Sequence, residues 1–446
     1  MKHPLARRPL AVALGAATAV AVLAGCSGSG TQDIATAAPS HLEGTVSLWH
    51  FFSDREGDVI QSVVDDFEKA NPDVTVDVHS GQDDEKLQKA ISAGNNVDVG
   101  ISYSTDIVGA FCSSGAFRDL GPYIDRDGVD LSQFSETTAS YTQFEGTRCA
   151  LPVLADAYGL YVNNDLLKAA GFDHAPTTLE ELETMALAMT TYNADGSIDV
   201  LGFNPLMGYY ENTPTNWAMT VGATWLKDDG TSNISSDPGW AEILQWQKDF
   251  VDTIGYDKLQ AYSAGMGQEF SADNAFQTGK VAMNFDGEYR TAFIADQAPD
   301  LDYSTVPIPT LADHSDSYGG GYVTGNIGGI AKNSKNPELA WALLEYLTTN
   351  TDAVVKLSNG LKNAPTTKDA LESPDLEVTP QFQTFLDIMQ SPNSMTTPPS
   401  KVGAGYQQAM GDYWNKFQQG DGGDLGEGLK GVDKTINDSL SLVDGP

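Results

Sequence analysis

Aromatic and polar side chains follow the ends of three predicted strands near the start of the chain, a pattern that suits binding of a small polar molecule. The candidate residues at these strand ends are Trp49, Phe51, Glu56, Gln82, Tyr103 and Asp106. Aromatic rings offer flat apolar surfaces, while planar amides and carboxylates fix hydroxyl groups by hydrogen bonds. Two alternatives stay open: Trp49 packs in the core, or Glu56 only completes a helix capping box with Ser53.

A second set of candidates lies in the middle of the chain, and "NFDGEYR" is its richest stretch. There Gly287 opens a predicted helix whose free N–H groups point outward. The set comprises Asp156, Tyr158, Trp217, Asp286, Gly287, Tyr289, Arg290, Gly320 and Tyr322. For Asp156 and Tyr158 the alternative is a structural hydrogen bond, and for Trp217 it is a place in the core. The glycine-rich "SYGGGYV" matches no phosphate-binding fingerprint, which argues against a nucleotide site.

The sequence predicts no catalytic residue, no metal site and no cofactor. The six histidines lack metal-ligand spacing, and no nucleophile motif is present. The stretch "TYNADGSID" resembles part of a calcium loop, but position 202 is glycine where the bidentate acid should stand, so a surface turn is favoured. The net charge of −36 argues against nucleic-acid binding and favours a monomer.

The N-terminus predicts export. A basic start is followed by "LAVALGAATAVAVL", which is too short for a comfortable membrane span but suits a signal-peptide core. Small residues precede Cys26, which resembles a bacterial lipoprotein signal whose cysteine becomes acylated. An ordinary secreted leader is the alternative. We therefore predict a signal peptide over residues 1–25 and a lipid-anchored, flexible tether over residues 26–43, on the extracytoplasmic face of the cell membrane.

Two cysteines remain in the mature chain, Cys112 and Cys149. In an oxidising exterior an even pair predicts a disulfide, with two buried free thiols as the alternative.

The order of predicted elements indicates an α/β fold. Strands and helices alternate from "TVSLWHFF" to "VDVGIS" with crossover lengths that require a parallel sheet. About 400 mature residues exceed what one core usually serves, so two lobes are expected.

Four stretches in this order resemble the family 1 extracellular solute-binding proteins, the sugar-binding receptors of ABC importers. They are "LWHFFSDREGDVIQSVVDDFEKANPDVTVDV", "LPVLADAYGLYVNNDLLKAAGF…PTTLEELE", "GKVAMNFDGEYR" and "GGIAKNSKNPELAWALLEYLT". One departure stands out. Where many members have Gly-x-Trp, this chain has Gly287-Glu288-Tyr289, so the size of the ligand cannot be transferred from relatives.

The resemblance implies a two-lobed, periplasmic-binding-protein-like fold of type II, with discontinuous lobes joined by hinge strands and a ligand cleft between them. The chain is expected to cross from one lobe to the other near Ala155, near Ala282 and near Gly328–Gly329. This places residues 44–154 plus 283–328 in the first lobe and 155–282 plus 329–446 in the second. The implied function is capture of a carbohydrate for a membrane permease; the alternatives are a secreted carbohydrate-active enzyme and a receptor of the same fold that feeds a sensor.

Overall fold

The computed structural model describes residues 34–443, so the predicted signal peptide and Cys26 lie outside the described residues. The strands are β1 (Gly44–His50), β2 (Val74–His79), β3 (Val99–Ser102), β4 (Gln143–Phe144), β5 (Thr147–Arg148), β6 (Leu151–Asn163), β7 (Thr191–Tyr192), β8 (Ile198–Phe203), β9 (Val281–Gly287), β10 (Tyr303–Pro307), β11 (Val323–Ile330) and β12 (Ala364–Pro365).

The α-helices cover the faces of the sheet and supply most of the regular secondary structure in the second half of the chain. They are α1 (Asp54–Ala70), α2 (Asp84–Ser92), α3 (Ile107–Ser113), α4 (Gly121–Asp127), α5 (Glu136–Ser140), α6 (Asn164–Ala169), α7 (Leu179–Met189), α8 (Pro214–Met219), α9 (Pro238–Ile254), α10 (Tyr256–Ser263), α11 (Arg290–Gln297), α12 (Pro337–Thr349), α13 (Thr351–Leu361), α14 (Lys368–Leu371), α15 (Pro380–Gln390), α16 (Gly405–Gln418) and α17 (Leu425–Val443).

A mixed sheet runs through both lobes in the order β2-β1-β3-β11-β6-β9-β8-β7, and β10 and β12 also pair with β6. Strand β1 is parallel to β2 and β3, as the alternation of strands and helices predicts. On α1, apolar side chains recur at helical spacing and bury one face, with Ile60, Val64 and Phe67 inside.

The long strand β6 connects the two lobes. Its first half pairs with β11 and β12, and its second half pairs with β9 and β10. Twelve of its 13 residues are buried, because it has neighbours on both sides and is covered on both faces. The chain therefore passes from one lobe to the other around Ala155 to Tyr158.

The packing divides the rest of the chain differently from the predicted boundaries. Strand β9 is parallel to β8, and its Met283 and Phe285 lie in the same core cluster as Trp217. Because these apolar side chains face the second lobe's core, β9 belongs to that lobe and no crossing occurs at Ala282. The return crossing is β11, which pairs with β3, and α13 then packs on α1 in the first lobe.

Cys112 and Cys149 form a disulfide that joins α3 to the segment before β6, with their Cα atoms 5.4 Å apart. The predicted pairing is confirmed.

The described end of the predicted tether lies against the body. The backbone N–H of Ala35 donates to Glu338 Oε1 at 3.0 Å, and Arg126 donates to the Ala35 carbonyl at 3.3 Å. His41 contacts Asp73 at 3.3 Å. Residues of the predicted tether from Ala35 onward are therefore held by the first lobe, and the flexible stretch does not extend to residue 43.

Candidate ligand-binding cleft

A cleft of about 470 Å³ opens between the lobes, where the crossing strands meet. Its walls are formed by Phe51, Phe52, Ser53, Asp54, Arg55, Glu56, Tyr103, Asp156, Tyr158, Glu211, Phe270, Tyr289, Phe293, Asn326 and Asn363. Six of the residues singled out from the sequence are in this set: Phe51, Glu56, Tyr103, Asp156, Tyr158 and Tyr289. Their role in binding stays a prediction.

The first lobe contributes the carboxyl end of β1 and the start of α1. The rings of Phe51 and Tyr103 meet edge to face, 5.8 Å between centroids, and Tyr103 is half exposed at the rim. Ser53 makes no side-chain cap bond, so the predicted capping box is wrong for this helix. Glu56 lines the cleft instead, and burial raises the pKa of its carboxyl against the opposing effect of Arg55.

Arg55 reaches across the mouth of the cleft. Its guanidinium donates to the Gly360 carbonyl at 2.6 Å in the first lobe. The same group lies 5.7 Å from the ring centroid of Phe293 on α11, in the second lobe. A guanidinium over an aromatic face is attractive, so this contact joins the two lobes across the mouth.

The second lobe contributes a wall of aromatic rings and one partly buried acid, Glu211. Tyr289 donates its hydroxyl hydrogen to Glu211 Oε1 at 2.8 Å, and its ring lies 5.8 Å from that of Phe270. A β-carbon at Gly287 would collide with the Tyr289 ring, so only glycine allows this ring to fold back over the end of β9. Gly287 therefore acts by positioning Tyr289.

The floor of the cleft comes from the strands that cross between lobes. Asp156 on β6, Asn326 on β11 and Asn363 before β12 are each at most 6% exposed, yet all three line the cleft. Asn363 donates to Asp156 Oδ1, and also to Glu288 Oε1 at 3.0 Å. The Oδ1 atom of Asn326 is buried and has no hydrogen-bond partner among residues 34–443. Such a group is costly unless something else satisfies it.

Buried acids dominate the electrostatics of the cleft. Burial raises the pKa of Glu211 to about 7, with the charge of Asp286 adding to the effect. Burial also raises the pKa of Asp156 to about 6. Carboxyl groups that accept hydrogen bonds, placed among flat rings, can hold the hydroxyl groups and the C–H faces of a sugar ring.

Three predicted residues from the first lobe lie outside the cleft lining. Trp49 packs on His79 with ring centroids 4.9 Å apart, and Gln82 donates to the Ser80 carbonyl at 2.8 Å. Asp106 is turned away, because it accepts hydrogen bonds from Gln407 Nε2 at 2.7 Å and from a threonine hydroxyl.

Predicted residues from the second half of the chain also have structural positions. Trp217 is fully buried in the core of the second lobe, 5.1 Å from the Phe285 ring. Asp286 and Arg290 are buried and paired, with Nε to Oδ2 at 2.7 Å, so neither reaches the cleft. Arg290 supports the wall indirectly, because its guanidinium lies under Phe270 and Phe293 at 5.5 and 5.1 Å.

Tyr322 and Gly320 lie behind the floor. Tyr322 stacks on Tyr158 with centroids 5.6 Å apart and is 7% exposed, so it supports a cleft residue without lining the cleft. Gly320 is needed because a side chain there would meet the backbone of Asn393.

Several cleft residues were not predicted from the sequence, and the signals that could have indicated them differ. Phe293 stands one helical turn after Tyr289, so the spacing along α11 could have indicated it. Asn326 is one of only two polar residues, with Thr324, in the glycine-rich and apolar strand "VTGNIGGI". Glu211, Phe270 and Asn363 come from loops without any periodic pattern.

Two α/β lobes joined by crossing strands, with one polar and aromatic cleft between them, define a two-lobed ligand-capturing protein. The sequence profile described as bacterial extracellular solute-binding protein matches residues 53–354. The chain therefore belongs to the bacterial extracellular solute-binding proteins.

Individual relatives agree with this family. A putative binding protein of Brucella abortus (strain 2308) is 29% identical over 302 residues, 66% of this chain and 70% of the relative. The maltotriose-binding protein of Pyrococcus abyssi (strain GE5 / Orsay) is 24% identical, covering 81% of this chain and 75% of the relative. The solved structure of CpMnBP1 with mannotriose bound matches with a TM-score of 0.78 and 25% identity, covering 88% of this chain and 100% of that one.

Membership places the protein outside the cytoplasm, in agreement with the family's description. Within residues 34–443, none of the helices is both long enough and apolar enough to cross a bilayer.

Proposed function

We propose that this protein is the carbohydrate-capturing component of an ABC importer, which binds a short saccharide in the interlobe cleft and presents it to the membrane permease. The observation that carries the proposal is the composition of the cleft. Aromatic rings stand on both lobes, and buried carboxyl and amide groups form the floor between them. Similar proteins described as binding maltotriose and as holding mannotriose support the same class of ligand.

The mechanism follows from where the contacts lie. Phe51 and Tyr103 belong to the first lobe, whereas Tyr289 and Phe270 belong to the second, so one sugar can touch both. A ligand with contacts to both lobes stabilises the closed arrangement over the open one by its difference in affinity for the two. The permease then recognises the closed form, with the protein acting as a monomer and without turnover of the sugar.

We further propose that acylation of Cys26, with palmitate among the attached chains, holds the protein at the outer face of the membrane. The short apolar run and the small residues before Cys26 support this. Anchoring keeps the binding protein close to its permease and raises its effective concentration there.

A thermal-shift screen tests the proposed function. Mannobiose, mannotriose, maltose and maltotriose are added separately at high concentration, because a ligand at 100 times its Kd adds about 2.7 kcal/mol to the free energy of unfolding. The variant Asp156→Asn keeps the shape of the floor but removes its charge. It should lose most of the rise in melting temperature that the ligand causes in the wild type.

Two results would contradict the proposal. In the first, no saccharide of a wider panel raises the melting temperature. In the second, chromatography of the incubated sugars shows hydrolysis products, which would favour an enzyme.

A further inference from the structure

Glu288 is a buried acid for which the proposed binding mechanism has no direct use. It is fully buried and follows the last residue of β9, between Gly287 and Tyr289. Its Oε2 atom accepts the Ala157 backbone N–H at 2.8 Å, and its Oε1 atom accepts from Asn363 Nδ2 at 3.0 Å. One side chain thus ties together the crossing strand β6, the end of β9 and the segment before β12.

Glu288 lies beside a second acid. Asn363 Nδ2 donates to Asp156 Oδ1 and to Glu288 Oε1, so the two buried carboxyl groups converge on one nitrogen. Two ionised carboxylates repel each other when they are buried this close together, so the arrangement favours a proton on one of them. The two positions differ, because Asp156 faces the cleft whereas Glu288 has no exposed surface.

We propose that Glu288 is a positioning residue: as a neutral acid it donates its hydrogen to Asp156 and holds that carboxylate ready to accept a hydroxyl group of the ligand. This deepens the proposed function and rests on it for the ligand's identity. Asn363 binds Asp156 Oδ1, and the hydrogen of Glu288 adds a second donor that holds the carboxylate in place at the floor. The remaining acceptor capacity faces the cleft.

The surroundings support a neutral Glu288. Burial raises its pKa well above the ordinary value, and the nearby charge of Asp156 adds to the rise. The pKa of Asp156 is raised less, to about 6, because hydrogen bonds from Glu288 and Asn363 stabilise its charged form. At neutral pH the proton therefore resides on Glu288 and the charge on Asp156.

Among residues 34–443, the titratable groups that face this pair carry no positive charge. The titratable groups that face it are Glu56 on α1, Tyr141 after α5, Tyr158 and Tyr161 on β6, and Tyr322 before β11. All of them are acids, and the pKa of each is raised by burial, which leaves the tyrosines neutral. Arg55 is directed to Glu56, at 3.6 Å, and to the Gly360 carbonyl. A shared proton is then the means by which two buried acids coexist.

The test measures the Kd of mannotriose or maltotriose, whichever binds the wild type more tightly, between pH 5 and 9. Wild-type affinity should fall below about pH 6, as Asp156 becomes protonated. In Glu288→Ala the donor to Asp156 is lost. The midpoint of the affinity loss, which is the pH at which half of the binding affinity is lost, should therefore move to higher pH. Affinity at pH 7 should fall at least tenfold. Glu288→Gln, which is neutral and of the same shape, should return the midpoint toward the wild-type value. Glu427→Gln, on the exposed face of α17, is the control.

A ligand-independent measurement separates failure of this inference from failure of the proposed function. The infrared difference spectrum of unliganded wild type minus Glu288→Gln at pH 7.5 should contain the carbonyl band of a protonated carboxyl. Absence of that band overturns the inference, whatever the ligand is. A Glu288→Ala variant that weakens binding by the same factor at every pH, with an unmoved midpoint, also overturns it, since that is the behaviour of a purely structural residue.

Discussion

Replacing Tyr289 by alanine tests whether the second lobe presents a flat ring to the ligand. The ring lies over Gly287, and its edge-to-face contact with Tyr158 has centroids 6.4 Å apart. Loss of ring contact with a sugar, together with the buried area, should weaken binding by about 1–3 kcal/mol, or roughly 5- to 150-fold in Kd.

The structure also assigns the hydroxyl group a separate role. It donates to Glu211 Oε1 at 2.8 Å, and removing it leaves a buried carboxyl oxygen without this donor. In Tyr289→Phe the free energy of unfolding of the unliganded protein should fall by about 1–3 kcal/mol. Affinity should change less than tenfold, because the ring stays in place. The two variants therefore separate the ring's contribution to binding from the hydroxyl's contribution to stability.

Calorimetric titration with the saccharide found in the screen, beside melts without ligand, supplies both quantities. Tyr192→Ala on β7 is a matched control, because that tyrosine is half exposed and lies outside the cleft lining. If Tyr289→Phe weakens binding as much as Tyr289→Ala, the ring is not a binding surface. Unchanged affinity in Tyr289→Ala would remove Tyr289 from the site.

Three further predictions concern the whole protein. The folded pKa values of Asp156 and Glu211, about 6 and 7, lie above their ordinary values, so the native state holds protons that the unfolded chain has released. The free energy of unfolding without ligand should therefore be greatest near pH 4 and fall as pH rises through 6 and 7, by on the order of 2–3 kcal/mol per group. Urea unfolding at pH 5 and pH 8 checks the sign. A higher free energy of unfolding at pH 8 than at pH 5 would contradict the prediction. Replacing Cys112 and Cys149 by alanine opens a loop with a sequence separation of 37, and the free energy of unfolding should fall by about 4 kcal/mol in the same assay. An unchanged urea midpoint would show that the disulfide does not stabilise the fold. Cys26→Ala should move the protein from the membrane fraction to the soluble one, and a variant that still sediments with membranes would refute the lipid anchor.

Local signals in the sequence determined the elements and much of the first-lobe side of the cleft. Helix α1 follows from apolar residues at helical spacing, and parallel pairing of the first strands follows from the lengths of their crossovers. Phe51 and Tyr103 lie on the cleft because the carboxyl ends of neighbouring parallel strands meet at one edge. The disulfide was also predictable, because only one pairing remained in the mature chain.

Tertiary packing decided which of several similar residues face the cleft. Trp217 and Tyr289 are both aromatic residues on short helices or at their starts, but Trp217 is enclosed by the second-lobe core whereas Tyr289 folds back over Gly287. The assignment of β9 to the second lobe was likewise hidden, since a strand's partner is not encoded within the strand itself. Asp156, Glu288 and Asn363 are far apart in the sequence, and only the passage of the chain between the lobes at β6 and back at β11 brings them within hydrogen-bond distance. Their charges and their shared proton depend on that burial, which no short stretch of sequence specifies.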